Sequence, residues 1–541
     1  MQRTPLQTRS MVISKFGIVA TSQTLASQAG ALVLEHGGNA IDAAIAANAT
    51  LGVVQPGSNG IGGDLFAIVY EARSGKLYGL NASGWTPSGL TIEYLLAKGV
   101  KQLRGIHAVT VPGAVAGWDA LRRRFGSMEF AKILAPAIYY AGNGYPVTEM
   151  ISGGWTGSAK RLADAPNFRQ TWTLDGRGPH AGEMFRNPDL ANSLRRIAAQ
   201  GRDGFYKGAT ADAIVQLSKE TGGTFTLADL EQFQPEWIDP ISTTYRGWTV
   251  WELPPNGHGM AALSMLNMME KFPLRQYGHN SAKALHVMIE AKKLAYADLL
   301  KYVGDPKFSR IQVKALISKE LAAGRSQQIR PDRAVCDAPP SKLDAFASAE
   351  WNDTIYMSAI DRDGNIVSLI QSLSSSFGTG FVPPHAGFAL HNRGAGFSLE
   401  PGKPNSLAPR KRPLHTIIPA FMEKDGVRIG FGIMGGWNQA QAHAQFVSNL
   451  VDFGMNIQSA IDVPRFTKLS FGGCDVAVES RISEQVRKEL TAMGHLVTAQ
   501  GPYSGSMGRG QAVLRDTHGV NYAASDPRGD GSAVPEGPPV F

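Results

Sequence analysis

The chain has 541 residues, 43% of them hydrophobic and 18% charged, which excludes a disordered chain and leaves room for several ordinary domains or one large layered one. Lysine plus arginine number 53 against 45 acidic residues, a net charge of +8 over the whole length. The densest basic runs are Arg122-Arg123-Arg124 and Arg410-Lys411-Arg412, so nucleic-acid binding is not expected, and the mild positive field suits a small anionic substrate.

The first fifteen residues offer only Met11-Val12-Ile13 as an apolar run, too short for a signal peptide. Nowhere do 18 apolar residues run together, so no membrane span is expected, and a cytoplasmic location is. Residues 25–36 read as an amphipathic helix that stops at Gly37-Gly38, where glycine takes the left-handed cap. Asn39 can cap the next helix, whose small residues at 43–49 invite close packing. Residues 56–64, Gly-rich throughout, form a tight loop feeding a strand at 65–70. Helical patterns follow at 115–125, 130–141 and 281–302.

From 326 to 352 the sequence is polar, contains Pro331, Pro339 and Pro340, and has no period, which suits a mobile surface connection. It runs straight into a strand at 354–360, a turn at Asp361-Arg362-Asp363-Gly364-Asn365 and a return strand at 366–371. The two cysteines, Cys336 and Cys474, lack metal spacing; one disulfide is possible, but two thiols in a chain this size fit a reducing compartment. There is no His-Glu-x-x-His, no Cys-x-x-Cys, no Gly-Lys-Ser/Thr phosphate loop and no Gly-x-Ser-x-Gly elbow. Gly60, Gly62 and Gly63 precede a strand, whereas a dinucleotide fingerprint follows one. No metal and no cofactor are therefore expected.

The segment Thr354-Ile355-Tyr356-Met357-Ser358-Ala359-Ile360-Asp361-Arg362-Asp363-Gly364-Asn365 resembles the strand and turn that open the small subunit of γ-glutamyltransferases. Phe377-Gly378-Thr379-Gly380, Lys411-Arg412-Pro413, Gly435-Gly436 and Ser525-Asp526-Pro527-Arg528 follow in family order. Upstream, Gly37-Gly38-Asn39-Ala40, Gly60-Ile61-Gly62-Gly63-Asp64, Val111-Pro112-Gly113 and Val303-Gly304-Asp305-Pro306 also match, so the resemblance spans about residues 17–528. It implies an α+β fold, a four-layer αββα sandwich, that cuts itself between Asp353 and Thr354. Residues 1–353, with a processing linker at 326–353, would form the large fragment and 354–541 the small one, the two staying associated within one domain.

The freed Thr354 would be the nucleophile. A threonine hydroxyl needs a base, and a new α-amino group with a pKa of about 7.7–8.0 supplies one near neutral pH. By the same resemblance Gly435 and Gly436 offer the two backbone N–H groups of an oxyanion hole, and Ser372 stands where the family has a threonine that hydrogen-bonds the nucleophile. Taken alone, each is an ordinary strand or turn residue; the ordered motifs give them weight.

The substrate pocket departs from the family. Ser83 stands about where an arginine should bind the substrate's α-carboxylate, and Gly396 replaces the aspartate that holds its α-amino group. Two serines become His415 and Thr416, an asparagine becomes Ser374, and a cation, Arg393, appears nearby. These changes point to a small acyl amide whose acyl group is anionic without an α-amine, a glutaryl-type acyl or a dicarboxylic-acid monoamide, with Arg393, Ser374, His415 and Thr416 as contacts. The activity that the resemblance implies is cleavage of γ-glutamyl or related acyl amide bonds, as in a glutathione hydrolase or γ-glutamyltransferase; a glutaryl-type or dicarboxylic-monoamide acylase and a catalytically silent binding protein are the alternatives.

Overall fold

The computed structural model describes residues 7–341 and 353–538. Two seven-stranded sheets lie face to face between helical layers. In one, strands run in the order Ser532–Pro535, Ile18–Thr21, Asp353–Ile360, Ile366–Ser374, Asp64–Glu71, Lys76–Ala82, Glu236–Ile238. In the other the order is Val12–Ser14, Asn521–Ser525, Gly510–Arg515, Val427–Ile433, Ala420–Lys424, Trp248–Glu252, Ile241–Tyr245. Every neighbouring pair in both is antiparallel.

Helices Thr24–Glu35 and Ala40–Val54 cover the outer face of the first sheet. Every residue of the second of these is buried, and only alanines and other slim side chains allow that depth of packing. Its start is fixed by a capping box, Asn39 accepting from the backbone at Ile41 and Asp42 while Asp42 accepts from Asn39. Gly37, at φ 87°, closes the preceding helix as expected. Gly259–Met269, Ala282–Tyr302 and Gln439–Val451 form the layer behind the other sheet. The predicted helix at 130–141 is two, Phe130–Ile133 and Ala135–Asn143, breaking at Leu134 where Pro136 starts the second.

The sheets touch through glycines. A Cβ on Gly432 would lie 2.5 Å from the Tyr356 ring, and one on Gly430 would lie 2.7 Å from Ile366, so the strands approach only because both lack side chains. Ser368 Oγ bridges the gap, accepting from Ala420 N at 3.2 Å and pairing with Tyr356 OH at 2.8 Å.

Two expectations are corrected. Residues 327–341 are fastened rather than loose: Arg325 Nη1 donates to Pro339 O at 2.7 Å, Ala334 N to Met493 O at 2.6 Å, and Ser341 N to Asp298. The remainder of the proposed linker, 342–352, lies outside the described residues. The cysteines are not thiols but a Cys336–Cys474 disulfide. No helix among the described residues is long and apolar enough to cross a membrane.

Candidate active site

The hairpin expected at 354–371 is present, as Asp353–Ile360 and Ile366–Ser374, at the centre of its sheet. The pairing slips between Asp353 and Ile355, so Thr354 sits on a bulge, a device that re-aims a side chain where a strand begins. Thr354 is fully buried, and its Oγ1 donates to Ser372 Oγ at 3.3 Å. Ser372 Oγ in turn accepts from Ser374 N at 2.7 Å. Ser374 has φ 75°, costly for a residue with a side chain, and it pairs across the hairpin with Asp353, the residue before Thr354.

Beyond Gly432 the facing strand runs on to Met434, Gly435 and Gly436 at the end of the sandwich where Thr354 and Ser372 lie. Gly435 has φ 131° and Gly436 φ 58°, both in the range that favours glycine, and a one-turn 3₁₀ segment Gly436–Asn438 leads into the helix Gln439–Val451. Neither glycine's peptide N–H has an acceptor among the described residues, leaving two donors unspent at the end of the sandwich where Thr354 lies.

On the other side of Ser372 lies a group that sequence reasoning missed. Asp64 pairs in register with Ser372, and so points to the same face of the sheet. It is fully buried and takes three contacts from two neighbours: Arg393 Nε donates to Oδ2 at 3.0 Å, His415 Nε2 to the same oxygen at 2.6 Å, and Arg393 Nη2 to Oδ1 at 3.4 Å. Arg393 Nη1 donates to Thr416 Oγ1 at 2.7 Å. Burial opposes ionisation of Asp64, but Arg393 and then His415 outweigh it and hold the carboxyl well below the usual range. His391 lies against the same carboxylate, its Nδ1 3.3 Å from Asp64 Oδ2 and its Nε2 2.9 Å from Thr110 O.

His415 accepts from Ile417 N at Nδ1 and donates at Nε2, the neutral tautomer; burial first, then Arg393, lowers its pKa to about 4, against the pull of Asp64. His258 stands between His415 and the glycine turn, its Nδ1 donating to His415 O at 3.0 Å and its ring 5.5 Å from that of Trp437. Burial lowers it to about 3, and its Nε2 has no partner among the described residues.

The structure thus brings together Thr354, Ser372, Ser374, Arg393, His415 and Thr416, with the Gly435–Gly436 turn above them. Arg393, expected as a free cation, is bonded to Asp64 and Thr416. Ser83 is buried and engaged by Asn256 Nδ2 at 3.1 Å, whereas Gly396 is exposed and a Cβ there would meet only Leu414 O, at 3.8 Å. A cluster that the motif search did not anticipate joins His286, Glu290 and His495, whose ligand atoms lie within 4.8 Å of one another. Lys293 Nζ, 2.6 Å from Glu290, already supplies a positive charge there. It sits beside the disulfide, Lys293 Nζ being 3.8 Å from Cys474 Sγ, and not among the residues around Thr354.

Two antiparallel sheets pressed together between helical layers define an architecture of the N-terminal nucleophile hydrolase type. A sequence-family model described as Gamma-glutamyltranspeptidase matches residues 26–536, and the chain belongs to that family. It is 36% identical over 541 residues to the glutathione hydrolase-like YwrD proenzyme of Bacillus subtilis (strain 168), covering 99% of this chain and 100% of the relative. It is 32% identical to the oxamate amidohydrolase proenzyme of Klebsiella pneumoniae, over 96% of this chain and 99% of that one. Among solved structures, cephalosporin acylase from Bacillus halodurans superposes with a TM-score of 0.91 at 42% identity, covering 99% of this chain and 98% of the other. Family and relatives together support a γ-glutamyltranspeptidase, glutathione hydrolase or related acylase activity.

Proposed function

We propose that the chain is an autoprocessing amidohydrolase or acyltransferase with Thr354 as its nucleophile. The observation that carries this is the buried Thr354 hydroxyl, held by Ser372 on a bulge at the head of a central strand. In the precursor, Thr354 Oγ attacks the Asp353 carbonyl carbon, the peptide C–N bond breaks, and the proton passes to the released α-amine. Water then cleaves the resulting ester.

In the mature enzyme the α-amine takes the Thr354 hydroxyl proton as Oγ adds to the substrate carbonyl. The N–H groups of Gly435 and Gly436 meet the oxyanion, and the proton moves to the leaving amine as the C–N bond breaks. Water, deprotonated by the same α-amine, hydrolyses the acyl-enzyme and regenerates Thr354; an amine in place of water gives transfer. Purified protein should run as fragments 1–353 and 354–541, while Thr354→Ala stays one inactive chain. Active protein that N-terminal sequencing finds intact would refute the mechanism.

For the acyl group, a glutaryl-type or dicarboxylic-monoamide donor is favoured over a γ-glutamyl one, because Gly396 is exposed and offers no carboxylate for an α-ammonium. The relative named for oxamate, itself a dicarboxylic monoamide, adds support. A glutaryl anilide should be turned over at least about tenfold better in kcat/KM than its γ-glutamyl analogue, the worth of one charge-assisted bond. Equal or better use of the γ-glutamyl compound overturns this choice. The cytoplasmic location is likewise a proposal; the Cys336–Cys474 disulfide argues against it, and following the activity through cell fractionation tests it.

A further inference from the structure

We propose that Arg509 forms a subsite for a carboxylate on the leaving amine of the substrate, or on the amine that accepts the acyl group. The inference rests on the reading of Thr354 as nucleophile. A cavity of about 90 Å³ is lined by Gln55, Ser58, Trp155, Ser376 and Arg509, among others. Its walls border both halves of the site. Leu373 N, next to Ser372, donates to Ser58 O at 3.2 Å, and Phe377 N donates to Gly57 O at 2.7 Å. On the opposite wall, Met434 N donates to Arg509 O at 3.1 Å, and a Cβ on Gly435 would lie 3.3 Å from Gly508 Cα.

Arg509 differs from the other arginines packed around the site. Arg393 is spent on Asp64, Arg412 on Glu236 at 2.9 Å, Arg465 on Asp526 at 2.6 Å, and Arg528 on Glu479 at 2.7 Å. Arg509 is half-buried, donates by Nε to Arg528 O at 3.0 Å, and has no carboxylate partner among the described residues. The nearby carboxylate of Asp530 is engaged by Thr148 Oγ1 at 2.6 Å and Ile151 N at 3.3 Å. Arg161, exposed and donating to Ser376 O at 2.8 Å, adds a second positive charge at the rim. A guanidinium with unspent donors on a partly desolvated wall matches a carboxylate in charge and in fork geometry.

Which part of the substrate it meets follows from covalent catalysis. While the acyl group stays on Thr354, the amine must leave and water or a second amine must enter, so the amine side needs the open flank. At one flank Asp64, Arg393 and His415 are bonded to one another; the flank at Arg509 holds the cavity. The ligand class is therefore an amine bearing a carboxylate, such as an amino acid, a peptide or an amino-carboxylate heterocycle.

The test compares glutaryl and γ-glutamyl amides of glycine with the same acyl groups on methylamine, in wild type, Arg509→Gln and Arg509→Lys. Arg509→Gln should raise KM for the glycine conjugates about tenfold or more with kcat little changed, leave the methylamides within twofold, and still cut itself into two fragments. Arg509→Lys should recover part of the loss. Equal losses on both amines, or none on either, overturn the subsite while leaving Thr354 in place. A wild-type chain that neither cuts nor turns over any donor overturns both.

Discussion

Replacing Asp64 by Asn removes a charge at almost constant shape. In the native protein the carboxylate is fully buried, takes Arg393 Nε at 3.0 Å and His415 Nε2 at 2.6 Å, and neutralises a guanidinium that is itself 3% exposed. The amide neutralises nothing and turns an N–H₂ toward one of its former donors. Breaking a buried ion pair from one side costs about 3–5 kcal/mol, because the other charge stays buried. At about 2.1 cal/mol/K per residue, a chain of 541 residues has a transition entropy of about 1.1 kcal/mol/K, so the apparent Tm should fall by roughly 3–4 °C.

Scanning calorimetry at one fixed rate reads the shift, and the rate of fragment formation on gels reads the disturbance at Ser372. The carboxyl's pKa is depressed in the fold, so its contribution is present above the unfolded value of about 3.9 and lost as pH falls below it. The deficit of Asp64→Asn should therefore persist from pH 7 down to about 4 and shrink below. Asp64→Asn/Arg393→Gln, which removes both charges, should recover most of the loss. An unchanged Tm in the single variant, or strictly additive losses in the double, would refute the pairing.

Acid should weaken the fold above the carboxylate range. His258 and His415 are buried neutral with pKa values lowered to about 3 and about 4, so the unfolded chain binds more protons as pH falls from about 6.5 toward 4, and stability falls with it. Between pH 7.5 and 5 each contributes about 2 kcal/mol of loss, and a Tm flat over that window contradicts the burial argument. Glu252 and His443, 2.8 Å apart and both buried, shift in opposite directions, the carboxyl up and the imidazole down, so their effects on acid stability oppose each other. Once cleaved, the protein should run as one species on a denaturing gel without reductant and as two with it, because Cys336 and Cys474 fall in different fragments. Two bands without reductant would show the disulfide unformed.

The sequence shows the hairpin because its apolar runs flank Asp361–Asn365, a turn that hydrogen-bonds itself through the Asp361 side chain to Asn365 N at 2.9 Å. The Asn39 cap was legible for the same reason, since it acts on backbone within three residues. Asp64 was not. Its partners Arg393 and His415 lie 329 and 351 residues away, and only the fold makes them neighbours. The one local sign was a charge opening a strand that is otherwise apolar from Leu65 to Tyr70 and buried throughout that stretch. Arg393 was noticed and assigned to substrate, because a sequence shows a cation and not the anion that already holds it. The Cys336–Cys474 pairing is equally non-local, its partners 138 residues apart.

The interleaving of the two prospective fragments explains why a cut at Thr354 need not loosen the molecule. Strand Ile18–Thr21, from the first fragment, lies between Ser532–Pro535 and Asp353–Ile360 of the second. Ile366–Ser374 pairs with Asp64–Glu71, Val12–Ser14 with Asn521–Ser525, and Ala420–Lys424 with Trp248–Glu252. Each sheet is thus built from both pieces, and the central crossing strands, Ile18–Thr21, Ile366–Ser374 and Asp64–Glu71, are buried in the core along almost their whole length. Breaking the bond before Thr354 would separate only the first residue, Asp353, from its strand and leave the ladder from Ile355 to Ile360 intact. A cut there would expose a new amine beside Ser372 while Asp64, Arg393 and the glycine turn stay where the sheets put them, so an uncut chain would already hold in place the groups that the proposed mature site uses.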